Sequence, residues 1–116
     1  MSQPATAYKV LTADQMAVLE HEGAFAGAPV DLTDGYIHLS TAAQLTETVD
    51  KHFAGQDDLH IAAVDLAAMG GAVKWEESRG GQLFPHLYAP LPLTAVIAYG
   101  PMKRDTDGTV RLPVSG

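Results

Sequence analysis

The order of apolar and polar positions predicts two helices, both in the first half of the chain. Apolar residues recur at helical spacing after Thr12 and again after Thr41. Each threonine is followed three residues later by a glutamine, which is the pattern of a capping box at a helix start. We therefore predict one helix from Thr12 to Gly23 and another from Thr41 to about Phe53, with Gly55 as the stop.

Short strands fill most of the remaining chain. Alternating or continuous apolar runs predict strands at 8–11, 36–40, 59–66, 73–78, 83–88 and 93–99, with a further short strand at 110–112. The run at 59–66 is apolar on both faces, so it is expected in the interior of a sheet. Because Pro85 has no N–H to donate, the strand that holds it is expected at a sheet edge or at a bulge. Loops or bends are expected at 24–34, 67–71 and 79–82.

This element order favours an α+β fold with helices early and mainly antiparallel strands late. The chain has no repeating strand–helix–strand rhythm, so a doubly wound parallel sheet is not expected. A length of 116 residues suits a single domain over 1–116, with a loose terminus at 1–7 and a C-terminal tail at 103–116.

Composition restricts the possible partners and chemistry. The chain has no cysteine, which excludes disulfides, a thiol nucleophile and a zinc–thiolate cluster. A net charge of −7 would repel a phosphate backbone, so we expect no binding to bulk nucleic acid. No apolar run is long enough to cross a bilayer and no signal peptide opens the chain, so we expect no membrane association and a cytoplasmic location. The oligomeric state is open, with a monomer favoured.

The first stretch with candidate chemistry is 34–41, where a strand is followed directly by a helix. The Asp-Gly turn at 34–35 leads into a strand on which Tyr36, His38 and Ser40 share a face. The helix that begins at Thr41 offers free N–H groups and a partial positive charge, which suit an anion. A histidine, two hydroxyls and a helix start can together hold a ligand.

The second stretch, at 74–88, repeats this arrangement. His86 shares a strand face with Tyr88, just as His38 does with Tyr36, so we predict that all four side chains line one cleft. In the same stretch, Trp75 or Phe84 can stack on a flat heterocycle and Arg79 can clamp an anion, while at most one of Glu76 and Glu77 can face the cleft.

Structural alternatives exist for each of these residues. Either histidine alone can be a hydrogen-bonded structural residue, Trp75 a core residue and Arg79 an exposed loop charge. The compact His-x-His or His-x-x-x-His spacing of metal ligands is absent, so no metal is predicted.

Three blocks of the sequence closely resemble the signature of a bacterial family, domain of unknown function 952. They read DGYIHLST, KWEESRGGQLFPHLY and PLPLTAVI, and the similarity runs from Tyr8 to about Met102. The family is grouped with the ADP-ribosyltransferase-like fold, nearest the RNA 2′-phosphotransferase branch. The resemblance implies a small, split, mainly antiparallel sheet around an NAD-binding cleft. It places His38 in the second catalytic-motif strand, and His86 in the strand that carries the catalytic glutamate in transferases.

Two departures from that pattern bear on activity. The first strand lacks the His or Arg that grips the NAD ribose, and no glutamate occurs in 84–88, where His86 is a substitute. The resemblance implies an enzyme that binds NAD or an ADP-ribose-type nucleotide and acts at the ribosyl bond. In it His38 and His86 would act on the ribose, and the other ligand-binding positions would be Tyr36, Ser40, Thr41, Trp75, Glu76, Arg79 and Tyr88. The alternatives are a non-catalytic nucleotide-binding module and a protein that binds an unrelated small metabolite.

Overall fold

Three α-helices occur in residues 4–113, the part of the chain that this computed structural model describes, apart from the side chain of Arg79. They are α1 (Ala13–Glu22), α2 (Pro29–Asp34) and α3 (Ala42–His52). The two predicted helices correspond to α1 and α3, and both predicted capping boxes form, at Thr12 and at Thr41. The structure therefore confirms the two longer helices.

Eight strands occur in the same described residues. They are β1 (Thr6–Thr12), β2 (Ala24–Phe25), β3 (Ile37–His38), β4 (Leu59–Asp65), β5 (Val73–Glu77), β6 (Leu83–Leu87), β7 (Leu91–Pro92) and β8 (Val96–Pro101). Short 3-10 segments connect them at Leu66–Ala72, Arg79–Gly81 and Leu93–Ala95.

The strands form small antiparallel sheets. One has the order β1-β4-β8, a second has the order β3-β6-β5, and a third pairs β2 with β7. Every strand pair among them is antiparallel. The predicted α+β class with mainly antiparallel strands is confirmed, and so is the interior position of β4.

The predicted loop at 24–34 is wrong, because it contains β2 and the short helix α2. Pro29 occupies the first helical position and Gly35 follows the last, where it adopts a φ of 89° that suits glycine. These two residues are ordinary helix boundaries, but the six residues of α2 hold too few apolar positions to show a helical period.

The edge position predicted for the strand around Pro85 is also wrong, since β6 is the central strand of its sheet. In an antiparallel ladder the N and the C=O of one residue point to the same neighbour. The Pro85 carbonyl accepts the Leu39 N–H at 3.2 Å, so the missing N–H of Pro85 faces β3. β3 ends at His38, before that missing donor is needed.

Several predicted boundaries also shift. The strand predicted at 93–99 begins as a 3-10 turn and continues as β8. Val110 forms an isolated bridge with Arg104 in place of the strand expected at 110–112. Regular structure starts at Thr6, inside the terminus that was expected to be loose, and residues 1–3 lie outside the described residues.

The β1-β4-β8 sheet separates two apolar clusters. Tyr8 and Val10 of β1 pack with α3 on one side, while Ala7 and Leu11 pack on the other side with α1, β3 and β6. By strand alternation, Lys9 shares the second face, where it is 4% exposed. A lysine in that position needs a partner in the interior, and α2 supplies it.

Candidate functional site

The β3-β6 pair sets two histidines side by side. His38 and His86 are direct cross-strand partners, and their ring centroids lie 5.6 Å apart. Side chains of directly opposed residues project from the same face of a sheet. The structure thus confirms that the two imidazoles share a face.

Two tyrosines complete an aromatic cluster with these histidines. The Tyr36 ring stacks on His86 with a centroid distance of 4.1 Å and an interplanar angle of 23°. It also lies 4.7 Å from the His38 ring and 5.2 Å from the Tyr88 ring. We call Tyr36, His38, His86 and Tyr88 the aromatic cluster. His86 is 3% exposed, and we infer that the stacked Tyr36 ring covers it from solvent.

His38 lies between two carboxylates of α2. Its Nδ1 is 2.6 Å from Oδ1 of Asp31, and its Nε2 is 3.0 Å from Oδ2 of Asp34. Both nitrogens can donate at once only in the imidazolium form. The two carboxylates, one at each ring nitrogen, therefore fix the plane of the ring.

Asp31 is the buried centre of this arrangement. Its Oδ2 accepts the Lys9 ammonium at 2.9 Å and the Ala28 N–H at 2.8 Å, and its Oδ1 accepts the His38 backbone N–H at 3.1 Å. Burial alone would raise the pKa of Asp31, but the bond from His38, the Lys9 charge and the Ala28 N–H together lower that pKa well below its usual range. Asp31 is thus an ionised carboxylate in the interior. Burial lowers the pKa of Lys9, and the attraction of Asp31 opposes that shift.

Close backbone approach accompanies this buried carboxylate. A Cβ added to Gly27 would lie 2.9 Å from the Cβ of Asp31, and Gly27 has a φ of 134°. A larger side chain at position 27 would therefore push Asp31 away from the groups that donate hydrogen bonds to it.

Glu76 plays the corresponding part for His86. Its Oε1 lies 2.8 Å from Nδ1 of His86 and accepts the Tyr88 hydroxyl at 2.7 Å. The hydrogen bonds from Tyr88 and His86 lower the pKa of Glu76, and the bond to Glu76 raises the pKa of Tyr88 to about 12. The Lys74 ammonium lies 5.0 Å from the Tyr88 ring centroid, within cation–π range.

A depression of about 250 Å³ opens beside the aromatic cluster. α2 and the end of β6 form it, and the lining includes Asp31, Leu32, Tyr36, Tyr88 and Pro90. Its volume is just below the range usual for small-molecule pockets, so it suits one ring or one sugar rather than a whole dinucleotide. Two members of the aromatic cluster, Tyr36 and Tyr88, form part of the wall of this depression.

The sequence profile described as "Protein of unknown function (DUF952)" matches residues 10–99. The chain belongs to the DUF952 family. This match contains β3, β5 and β6, the strands that carry the histidines and Glu76. The predicted family membership is confirmed. No curated protein matches the chain.

Solved structures of one relative share the fold of this DUF952 protein. The crystal structure of protein CC0527 from Caulobacter crescentus is 42% identical to it and superposes with a TM-score of 0.84, covering 92% of this chain and 94% of the other. A double mutant of CC0527 gives a TM-score of 0.83, and its solution NMR structure gives 0.78 with 90% of each chain covered. The architecture is therefore similar to one seen by crystallography and by NMR.

In this DUF952 chain, five of the predicted site residues come together: Tyr36, His38, Glu76, His86 and Tyr88. Ser40 does not join them, since it is buried and its Oγ is 2.8 Å from the Thr48 hydroxyl. The Thr41 hydroxyl accepts the Gln44 N–H and so caps α3. Both hydroxyls are engaged in local structure.

Trp75 lies on the opposite side of the β3-β6-β5 sheet. It pairs with Pro85 and packs against the apolar core, so it is not placed to stack on a ligand at the aromatic cluster. The side chain of Arg79 lies outside the described part of the structure, so its role in binding an anion remains a prediction. Glu76 faces the histidines, in keeping with the expectation that at most one of Glu76 and Glu77 can do so.

Three charged residues that belong to the site were missed from the sequence: Lys9, Asp31 and Asp34. A lysine inside the apolar run of β1 was a usable signal, because a buried ammonium requires a carboxylate. The Pro29 and Gly35 boundaries were a second signal, since they place Asp31 in the first turn of a helix.

Two further properties concern ligands and membranes. Within residues 4–113 no three His, Asp or Glu side chains are grouped so that they could hold a metal ion. None of the helices in that range has the length and apolar character needed to cross a bilayer.

Proposed function

We propose that this protein, as a monomer, binds an ADP-ribose-type nucleotide such as NAD at the aromatic cluster and acts at its ribosyl bond. The observation that supports this most strongly is the convergence of two imidazole–carboxylate pairs on the face covered by Tyr36. The resemblance of the DUF952 family to the ADP-ribosyltransferase-like fold supports the same ligand class.

The charge of the site favours the ribosyl end of such a ligand. Asp31, Asp34 and Glu76 all lie against the aromatic cluster, so a phosphate at that point would meet three carboxylates. Ribose hydroxyls can donate to carboxylates, and a cationic ring can lie on a tyrosine face. An oxocarbenium-like centre is likewise stabilised by negative charge. We therefore place the ribose and its leaving group at the cluster.

The phosphate end would lie toward the start of α3. The Gln44 amide at that helix start donates to the Leu83 carbonyl at 2.8 Å, which brings the helix start beside the 79–82 bend. Leu83 precedes His86 by three residues, or roughly 10 Å along an extended strand. A diphosphate joined to a ribose at the cluster can span that distance, and helix N-termini favour anions.

His38 is the histidine suited to proton transfer, because 33% of its side chain is exposed. In the proposed reaction the bond between ribose C1′ and the leaving base breaks, and its electron pair leaves with the base. Water or an acceptor hydroxyl forms the new bond to C1′ and gives its proton to His38. Glu76, 40% exposed and bonded to His86, would hold the ribose hydroxyls.

Thermal shift and calorimetric titration with NAD and ADP-ribose test the binding step, and chromatographic detection of released nicotinamide tests the reaction. A ligand at a hundred times its dissociation constant adds about 2.7 kcal/mol to stability, which is a clear shift in Tm for one domain. His38→Ala should abolish release, and the matched control His21→Ala, on the exposed end of α1, should not. Failure of both ligands to bind would contradict the proposal.

A non-catalytic binding module is the second candidate, and the size of the pocket favours it. About 250 Å³ suits a small ligand, and the stacked Tyr36 ring leaves little of His86 free to react. Binding of a nucleotide or small metabolite with no product in prolonged incubation would support the module and contradict the transferase.

A further inference from the structure

A buried ion pair lies directly behind the exposed histidine of the site. Lys9 and Asp31 have side chains 5% and 1% exposed, with Nζ and Oδ2 2.9 Å apart. Apolar residues of similar size often replace such pairs without loss of stability, so stability alone does not account for it. The geometry of Asp31 toward His38 supplies another reason.

The two oxygens of Asp31 have different partners. Oδ2 accepts hydrogen bonds from two groups that can only donate, the Lys9 ammonium and the Ala28 N–H. Oδ1 therefore faces His38, where it accepts the backbone N–H at 3.1 Å and meets the ring Nδ1 at 2.6 Å. The carboxylate cannot turn without losing both donors at Oδ2, so the oxygen that meets the ring is fixed.

We propose that Asp31, held by Lys9, is a positioning residue that fixes the ring orientation of His38 and the proton on its Nδ1. The neutral ring then has its acceptor lone pair on Nε2, the edge that can receive a proton from substrate. For its catalytic consequence this inference rests on the proposed function. The tautomer itself does not depend on any ligand.

Asp34 is the second group that faces the ring, and it differs from Asp31. Its side chain is 41% exposed and lies at the end of α2, four residues before His38, so a ligand can displace it from Nε2. The rings of Tyr36 and His86 also face the imidazole, with centroids 4.7 and 5.6 Å from that of His38. Asp31 is thus the fixed contact and Asp34 the exchangeable one.

Asp31→Asn separates positioning from simple packing, because it keeps the shape and changes the hydrogen-bond pattern. If the Asn NH₂ takes the place of Oδ2, it faces two donors, the Lys9 ammonium and the Ala28 N–H. If it takes the place of Oδ1, it faces one donor, the His38 backbone N–H. The second orientation loses one hydrogen bond instead of two, and in it the NH₂ donates to Nδ1 of the ring. The variant should therefore move the ring proton to Nε2.

The experiment is ring ¹⁵N NMR of His38 at a pH where the imidazole is neutral, on wild type, Asp31→Asn, Lys9→Met and Asp34→Asn. We expect the Nδ1–H form in wild type and in Asp34→Asn, and the Nε2–H form in Asp31→Asn. Lys9→Met keeps the Asp31 bond to Nδ1, so it should retain Nδ1–H with a broader ring signal. Backbone amide spectra report whether each variant is folded.

Nδ1–H in a folded Asp31→Asn variant would overturn the proposal, as would Nε2–H in the wild type. The wild-type spectrum decides the matter even if Asp31→Asn does not fold. With NAD as the probe, Asp31→Asn should lower kcat at least tenfold and change KM less than threefold. A tautomer switch without any turnover in wild type would retain the positioning role and contradict the proposed reaction.

Discussion

The two histidines of the aromatic cluster are each paired with a carboxylate, but the burial of the two pairs is reversed. His38 is 33% exposed and its partner Asp31 is 1% exposed. His86 is 4% exposed and its partner Glu76 is 40% exposed. In one pair the ring is accessible and the anion is fixed, and in the other the ring is fixed and the anion is accessible.

This reversal follows from where each carboxylate originates. Asp31 lies in the first turn of α2, against the interior lysine of β1. Glu76 lies on β5, an outer strand of its sheet, where solvent reaches it. The comparison suggests different roles for two similar pairs. We expect His38 to exchange protons with a ligand, and His86 to hold Tyr36 in place and present Glu76.

The largest expected difference between the pairs is in folding stability. Asp31→Ala would leave the Lys9 ammonium buried without its acceptor and would remove the acceptor of two backbone N–H groups. Breaking a buried ion pair in this way costs about 3–5 kcal/mol. Glu76→Ala, at an exposed position, should leave the urea midpoint close to that of wild type.

Urea unfolding followed by circular dichroism measures both variants, with Asp34→Ala as a control that also removes a carboxylate from His38. Asp34 has an exposed side chain, so its loss should resemble that of Glu76. Equal midpoints for Asp31→Ala and Asp34→Ala would mean that burial does not distinguish the two pairs.

The strand faces of this site were predictable from the sequence, and its charge network was not. Alternation along 36–40 and 84–88 is a local property, so the shared face of His38 and His86 followed from two short patterns. The Lys9–Asp31 contact joins positions 22 residues apart through a helix too short to show a period. The central place of β6 was missed because the length of β3, which determines where Pro85 lacks a partner, is a tertiary property.

The next expected effect concerns the ring that covers His86. Tyr36→Ala removes contacts with three aromatic rings, and an aromatic pair contributes about 0.5–1.5 kcal/mol beyond its buried area. The variant should unfold at a lower urea concentration than wild type. It should also expose His86 to an imidazole-modifying reagent, at a rate approaching that of His38.

Peptide mapping after brief diethyl pyrocarbonate treatment measures the modification of each histidine. Tyr99→Ala removes an exposed tyrosine from β8, which belongs to a sheet that contains neither histidine, and serves as the control. If His86 stays unmodified in a folded Tyr36→Ala variant, the covering role assigned to Tyr36 is wrong and another group protects the ring.

The smallest expected effect is on the titration of Tyr88, and it tests whether the Glu76 carboxylate is charged and bonded as described. Glu76 holds the pKa of Tyr88 at about 12, against an ordinary value of 10.0. Glu76→Gln removes the charge and weakens the acceptor, so the pKa of Tyr88 should fall toward 10.0 with little change in stability. Because the pKa is raised in the folded state, the contribution of this bond to stability is complete below pH 10 and is lost as the pH rises through the folded value.

The tyrosine ring NMR signals as a function of pH follow Tyr88 individually. Tyr99 supplies the control, since the charge of Glu20 and its bond to the Tyr99 hydroxyl raise the pKa of Tyr99, so Glu20→Gln should shift Tyr99 and leave Tyr88 unchanged. An unaltered Tyr88 titration in Glu76→Gln would remove Glu76 from this bond and leave His86 without the accessible carboxylate that distinguishes its pair.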